Sequence, residues 1–214
     1  MAQPQKTDAG LRKERIPPAD VYPESLSRLS PLRREGLSEE GRADYDALSR
    51  PRPGSKIVAG LQGPGGVWLR LPGVGRHINE ATRILRSEIG LDPRLTELAI
   101  LAAAREMDSQ FQWTMHEPVA RKEGLSEKII DVVKHRKPVA DMPETESVII
   151  ELVREALGAK KVSSQTYARA MNVFGENGLL NLATLMANYA LTAIVLCVVD
   201  QQLHDGQTPL LPSR

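Results

Sequence analysis

Apolar residues recur at three- and four-residue steps along most of the chain, the period of an amphipathic helix. From about His77, the positions Ile78, Ala81, Ile84, Leu85 and Ile89 keep that rhythm until Gly90 ends it. Asp92-Pro93 supplies an N-cap followed by a residue suited to the first helical turn, which predicts a helix through about Glu106. A further helix carries Phe111, Met115, Val119 and Ala120 and stops at Gly124, with Pro118 implying a kink or a nearby start. Ser126 caps the next, through Lys134, which Pro138 closes. Helices over 143–157, 164–174 and 178–203 complete the set. Upstream, Ser38 opens a short helix to about Ser49, with Glu39 and Glu40 at its favoured end.

Between these elements the punctuation is strong. Pro17, Pro18, Pro23 and Pro31 interrupt residues 1–35, which read as an irregular arm. The run PRPGSK stops the first helix. The stretch GLQGPGGVWLRLPGVG reads as a loop that packs down through Trp68, Leu69 and Leu71. It lacks the preceding strand and following Lys-Ser/Thr of a phosphate-binding loop. No strand pattern and no internal repeat emerges. The expected architecture is all-α, a compact helical bundle over residues 37–206, between an irregular arm (1–36) and a short tail (207–214).

Composition narrows the function. Aromatic residues make up 4% of the 214, so the core must be built from Leu, Ile, Val and Ala. Lys and Arg total 28 against 27 Asp and Glu, without the basic stripe of a nucleic-acid binder. Cys197 is the only cysteine, so no internal disulfide exists and an oxidising compartment is not implied. Residues 1–35 contain no apolar signal-like core, and the expected address is the cytoplasm. The charge-free segment 177–199 is long enough to span a bilayer. Asn181, Thr184, Asn188 and Thr192 within it, and the absence of flanking Lys/Arg clusters, favour burial in a core or a subunit interface.

The chemistry concentrates in LTELAILAAAREMDSQFQWTMHEPVARKEGLSEKII, residues 95–130. Ser109, Gln112 and His116 are separated by three and four residues and share one helix face. Trp113 lies beside that face as an apolar wall. Glu97 falls one helix earlier, close enough after a tight hairpin to orient the imidazole. A carboxylate on one His nitrogen fixes the tautomer and leaves the other nitrogen for proton transfer. Arg70, Arg94 and Arg105 are candidates to receive a substrate carboxylate, Arg94 being equally suited to a structural ion pair with Glu97. His77, His135 and His204 show no ligand spacing, so no metal is assigned.

This stretch resembles the core of the carboxymuconolactone decarboxylase family and its alkylhydroperoxidase D-like superfamily. The resemblance aligns Glu97 and His116 with the family's Glu and His. It places Ser109 and Gln112 where the peroxidase branch has Cys-x-x-Cys. A thiol peroxidase needs an attacking and a resolving thiol, which Ser109 and Gln112 do not supply, and Cys197 is expected to lie buried and inert in its apolar helix. The resemblance implies a cofactor-independent decarboxylase of a small carboxylated lactone or related acid from aromatic catabolism. His116 would carry the proton and Glu97 orient it. Ser109, Gln112, Trp113, Trp68, Arg94 and Arg105 would bind substrate. It also implies a symmetric homo-oligomer, a trimer or hexamer, with no partner beyond a small-molecule substrate. Two alternatives stay open: an isomerase or lactone-opening enzyme using the same pair, and a non-catalytic oligomer that binds a ligand or protein.

Overall fold

A computed structural model describes residues 17–50 and 60–212. Its helices are α1 (Glu39–Leu48), α2 (Pro64–Leu69), α3 (Gly75–Ser87), α4 (Pro93–Glu106), α5 (Gln110–Lys122), α6 (Glu127–Lys134), α7 (Glu144–Val153) and α8 (Ser164–Val198). A 3₁₀ turn at Arg34–Gly36 precedes α1, and a π-helical segment, Arg154–Ala159, extends α7. No strand forms among the described residues, so the fold is all-α as the periodicity predicts.

The starts of the helices follow their capping residues. Ser38, Asp92, Ser126 and Ser163 each accept a hydrogen bond from a backbone N–H in the first turn of the helix they precede. Gly124, at φ 88°, ends α5 after a helix that runs through Pro118. The helix around Pro118 simply lacks one backbone donor.

Helix α4 is the axis of the bundle. Every residue from Leu95 to Arg105 is buried, and α5, α6, α7 and α8 pack around it. Ala99, Ala102, Ala103 and Ala104 supply little bulk, which lets the neighbouring helices approach closely. A second, smaller apolar cluster joins Val67 and Trp68 of α2 to Phe111 of α5 and Leu196 of α8. The segment before α1 stays irregular, yet Val21 and Leu26 are buried. The Leu26 carbonyl accepts from Gln202 N–H at 2.7 Å, pinning this segment beside the end of α8.

Four expectations need correction. The Gly-rich stretch contains α2, because burial of Val67 and Trp68 outweighs the poor helix propensity of Gly65 and Gly66. Glycine is required at Gly63, where φ is 88° and a Cβ would lie 2.5 Å from the Phe111 ring. The apolar stripe of α3 is only partly covered: Leu85 is buried and Ile78 and Ile89 are half-buried, but Ala81 and Ile84 face solvent. The last two helices form one element, α8, bent at Gly175 (φ 65°, ψ 178°) and ending at Val198. Cys197 is exposed, since it falls on the side of α8 turned away from the bundle. The run PRPGSK lies outside the described residues, as do residues 1–16 of the arm.

By length and composition α8 suffices to cross a membrane, and half of its most apolar window is buried inside the bundle.

Beneath α5 lies a buried ionic knot. Glu117 is 1% exposed, accepts hydrogen bonds from Trp113 Nε1 and Lys134 Nζ (2.9 Å), and ion-pairs with Arg121 Nη2 at 2.6 Å. Lys134 also stands 5.6 Å from the Trp113 ring centre. Removing the carboxylate strands a buried ammonium and an indole N–H. Glu117→Ala is expected to cost about 3–5 kcal/mol in equilibrium denaturant unfolding, and a loss below about 1 kcal/mol would contradict this account.

Candidate functional site

The antiparallel pair α4–α5 brings Glu97 and His116 together. Their turn is tight: Ser109 N–H donates to the Ala104 carbonyl at 2.8 Å, and Asp108 takes a positive φ of 48°. Across this pair, His116 Nδ1 donates to Glu97 Oε2 at 2.8 Å. Because a carboxylate only accepts, the proton sits on Nδ1 and Nε2 is directed elsewhere. The Glu97 side chain is 4% exposed, and its second oxygen, Oε1, accepts from Arg86 Nη2 at 3.1 Å. A buried carboxylate without such partners is costly, so the pair and the arginine stabilise one arrangement.

His116 opens onto a cavity of about 470 Å³ whose apolar walls come from Trp68, Phe111, Met115 and Val119. Polar groups converge there from three helices: Thr82 and Arg86 of α3, Gln112 of α5, and Asn188, Tyr189 and Thr192 of α8. Asn188 Nδ2 donates to Thr82 Oγ1 at 2.9 Å and joins α3 to α8 at the cavity wall. The Tyr189 ring meets the His116 imidazole edge-on, with centroids 5.2 Å apart and planes at 84°. Burial pushes the Tyr189 phenol well above its ordinary range, so it stays protonated. On the other side of Arg86 and Val119 is a second cavity of about 310 Å³, lined by Glu97, Thr96 and Glu123. The carboxylate thus stands between two hollows.

The expected site residues divide clearly. His116, Gln112 and Trp68 line the larger cavity, and Glu97 backs it. Gln112 Nε2 donates to the Tyr189 carbonyl at 3.0 Å, while its Oε1 is buried without a partner. Ser109 sits at the N-cap of α5, before the face that reaches the cavity. Trp113 is fully buried and turns to Glu117. Arg94 pairs with Glu146 at 2.5 Å and not with Glu97. Arg105 pairs with Asp108 at 2.7 Å, at the far end of α4. Arg70 donates to the Ser30 carbonyl. None of the three arginines lines either cavity. Arg86 and Tyr189 were not anticipated. The one readable signal was polar side chains, Asn188 and Thr192, inside an otherwise apolar helix. His204 also reaches the cavity, its Nδ1 2.9 Å from Gln62 Oε1. Among the described residues no three His, Cys, Asp or Glu side chains gather in a metal-binding group.

An all-helical bundle enclosing a carboxylate–imidazole pair beside a mixed apolar and polar chamber is the class defined here. Residues 72–154, from just before α3 through α7, match the family model described as the carboxymuconolactone decarboxylase family. The match includes Glu97 and His116 but stops before α8. No curated protein matched the chain.

Gln112 offers a test of the site's economy, because one end of its amide is satisfied and the other is not. Replacing both polar ends by a similar apolar shape removes an orphan along with a bond. Gln112→Leu is expected to change stability by less than about 1 kcal/mol in thermal or denaturant unfolding. A loss above about 3 kcal/mol would show that an unseen donor, such as buried water, satisfies Oε1.

Proposed function

We propose that this protein is a cofactor-independent lyase that decarboxylates a small lactone-type or related acid, with His116 as proton carrier and Glu97 as its orienting partner. The observation that supports this most directly is the 2.8 Å Nδ1–Oε2 contact, which presents the opposite ring nitrogen to a chamber sized for a small molecule. The family match over residues 72–154 is compatible with enzyme activity and leaves the reaction open. In the proposed step the bond to the departing carboxylate breaks, and its electron pair delocalises onto an adjacent carbonyl as a dienolate. Carbon dioxide leaves as that bond breaks; His116, entering the step with both ring nitrogens protonated and Nδ1–H held by Glu97, gives its Nε2 proton to carbon and regains one from water. Arg86 is the cation nearest this chemistry, and its remaining N–H groups suit a substrate carboxylate.

The test is turnover of a panel of carboxylated lactones and muconate-type acids, followed by carbon dioxide release and product mass. His116→Ala is expected to reduce turnover by about 10²–10⁴-fold. Glu97→Gln should have a smaller effect on the same substrate, since the proton-carrying imidazole survives in a less firmly fixed orientation. Turnover without loss of mass would move the assignment to an isomerase or lactone-opening enzyme with the same pair. Undiminished function in both variants would favour a binding protein.

We also propose that the chain works as a soluble, cytoplasmic homo-oligomer, a trimer or hexamer, joined through α8. Its solvent-facing positions Leu180, Thr184, Ala187, Leu191, Ile194 and Val198 recur at four and three residues, the spacing of a helix–helix seam. Leu180, Ile194 and Val198 are each more than half exposed. The seam spans about 27 Å and carries no charge. A charge-free heptad stripe is complementary to another copy of itself, with nothing to attract a charged partner. Leu191→Lys is expected to shift the protein from oligomer to monomer in sedimentation velocity while preserving its helical circular dichroism. A monomeric wild type would sink this part of the proposal.

A further inference from the structure

The acid–base reading leaves one requirement without a residue: a donor aimed at the oxygen on which charge develops. Ser109 and Gln112 were the expected donors, and neither is placed to serve. Ser109 lies off the cavity, and the Gln112 amide N–H₂ is engaged with the Tyr189 carbonyl. The Gln112 atom left over is an acceptor, which would repel an oxyanion. The hydroxyls of Thr82 and Thr192 are also engaged, donating to the carbonyls of Ile78 (2.8 Å) and Asn188 (3.0 Å) one turn back.

We propose that the Tyr189 hydroxyl is the hydrogen-bond donor that receives the substrate's developing oxyanion. Tyr189 lines the cavity, is 6% exposed overall, and abuts the ring of His116. Its hydroxyl makes no hydrogen bond to any described residue, yet it is not among the polar atoms sealed away from solvent. A tyrosine this buried ordinarily finds a partner for its O–H. Here the cavity is where that partner must come from.

The surroundings hold the phenol ready. Gln112 anchors the Tyr189 backbone to α5, and Asn188, its neighbour in sequence, is tied to α3. The ring therefore has little freedom to turn away. Burial keeps the phenol neutral, so it donates without losing its proton, and the low local dielectric strengthens that bond as charge accumulates. The O–H bond stays intact throughout. Electron density returns from oxygen to carbon when His116 delivers its proton. The assignment rests on the acid–base reading for its place in a reaction, but the donor itself has a measurable existence apart from it.

The test uses the full-length protein and p-nitrophenolate as an oxyanion probe, at mildly alkaline pH where the probe is ionised and Tyr189 keeps its proton. Binding is read from the shift of the phenolate absorbance. The wild type is expected to bind. Tyr189→Phe, which keeps the ring packing, is expected to lose at least about tenfold in affinity, and His116→Ala far less. Where the lactone panel finds a substrate, Tyr189→Phe should lower kcat by about 10²–10³-fold with little change in KM. Equal binding by wild type and Tyr189→Phe, no binding by the wild type, or affinity lost only in Arg86→Gln would each overturn the proposal. Tyrosine-dependent binding with no turnover on the panel would uphold the donor while removing support from the decarboxylase reading.

Discussion

The carboxylate of Glu97 is carried by a helix that has almost no solvent-facing side, and the arrangement of the neighbouring helices answers to that fact. An ionised group so buried is tolerated only when each oxygen has a charged or hydrogen-bonding partner. Oε2 takes the imidazole N–H from α5 and Oε1 takes the guanidinium from α3. These two contacts set the register of α5 against α4 and bring α3 to the edge of the site. They also fix the imidazole tautomer. The contact that stabilises the buried charge is therefore also the one that orients the imidazole we propose as proton carrier.

Helix α5 carries a second buried carboxylate next to His116, and the two acids have separate duties. Glu117 faces away from the cavity and is enclosed by Trp113, Lys134 and Arg121. It has two cations and an indole donor, and no path to a ligand. Glu97 has one cation and one titratable ring, with a cavity behind it and another beyond its histidine. The adjacent His116 and Glu117 side chains leave the helix about 100° apart, one toward the cavity and the other toward the bundle. One side of α5 holds the bundle together and the other lines the chamber.

How much of this was legible depended on whether the determining contacts were local. Capping residues are read over three or four positions, so Ser38, Asp92 and Ser126 marked their helices correctly. The Glu97–His116 contact was also anticipated, because a short hairpin brings two helix faces together at a predictable offset. Arg86 was missed: it reaches Glu97 from the preceding helix across a turn whose angle the sequence does not specify. Trp113 was assigned to the cavity by adjacency, yet a one-residue step turns a side chain by about 100° around a helix, here into the core. Arg94 and Arg105 went to Glu146 and Asp108, partners that only tertiary packing brings near. The Gly-rich stretch was read as loop since glycine disfavours helices, and the burial of Trp68 that reverses this is not local.

The segment 177–199 shows how two sides of one helix combine into a charge-free composition. Its inward side must be apolar where it meets α4, with Tyr189, Asn188 and Thr192 placed among apolar residues at the chamber. Its outward side repeats apolar residues at heptad spacing. Neither side leaves room for a charge, so the sequence acquires the length and hydropathy of a membrane span. Three polar residues interrupt it: Asn188 hydrogen-bonds to Thr82 of α3, Thr192 to the carbonyl one turn back, and Tyr189 lines the cavity. The helix that looks most like a membrane anchor thus lines the cavity with one side and presents an uncharged apolar stripe with the other.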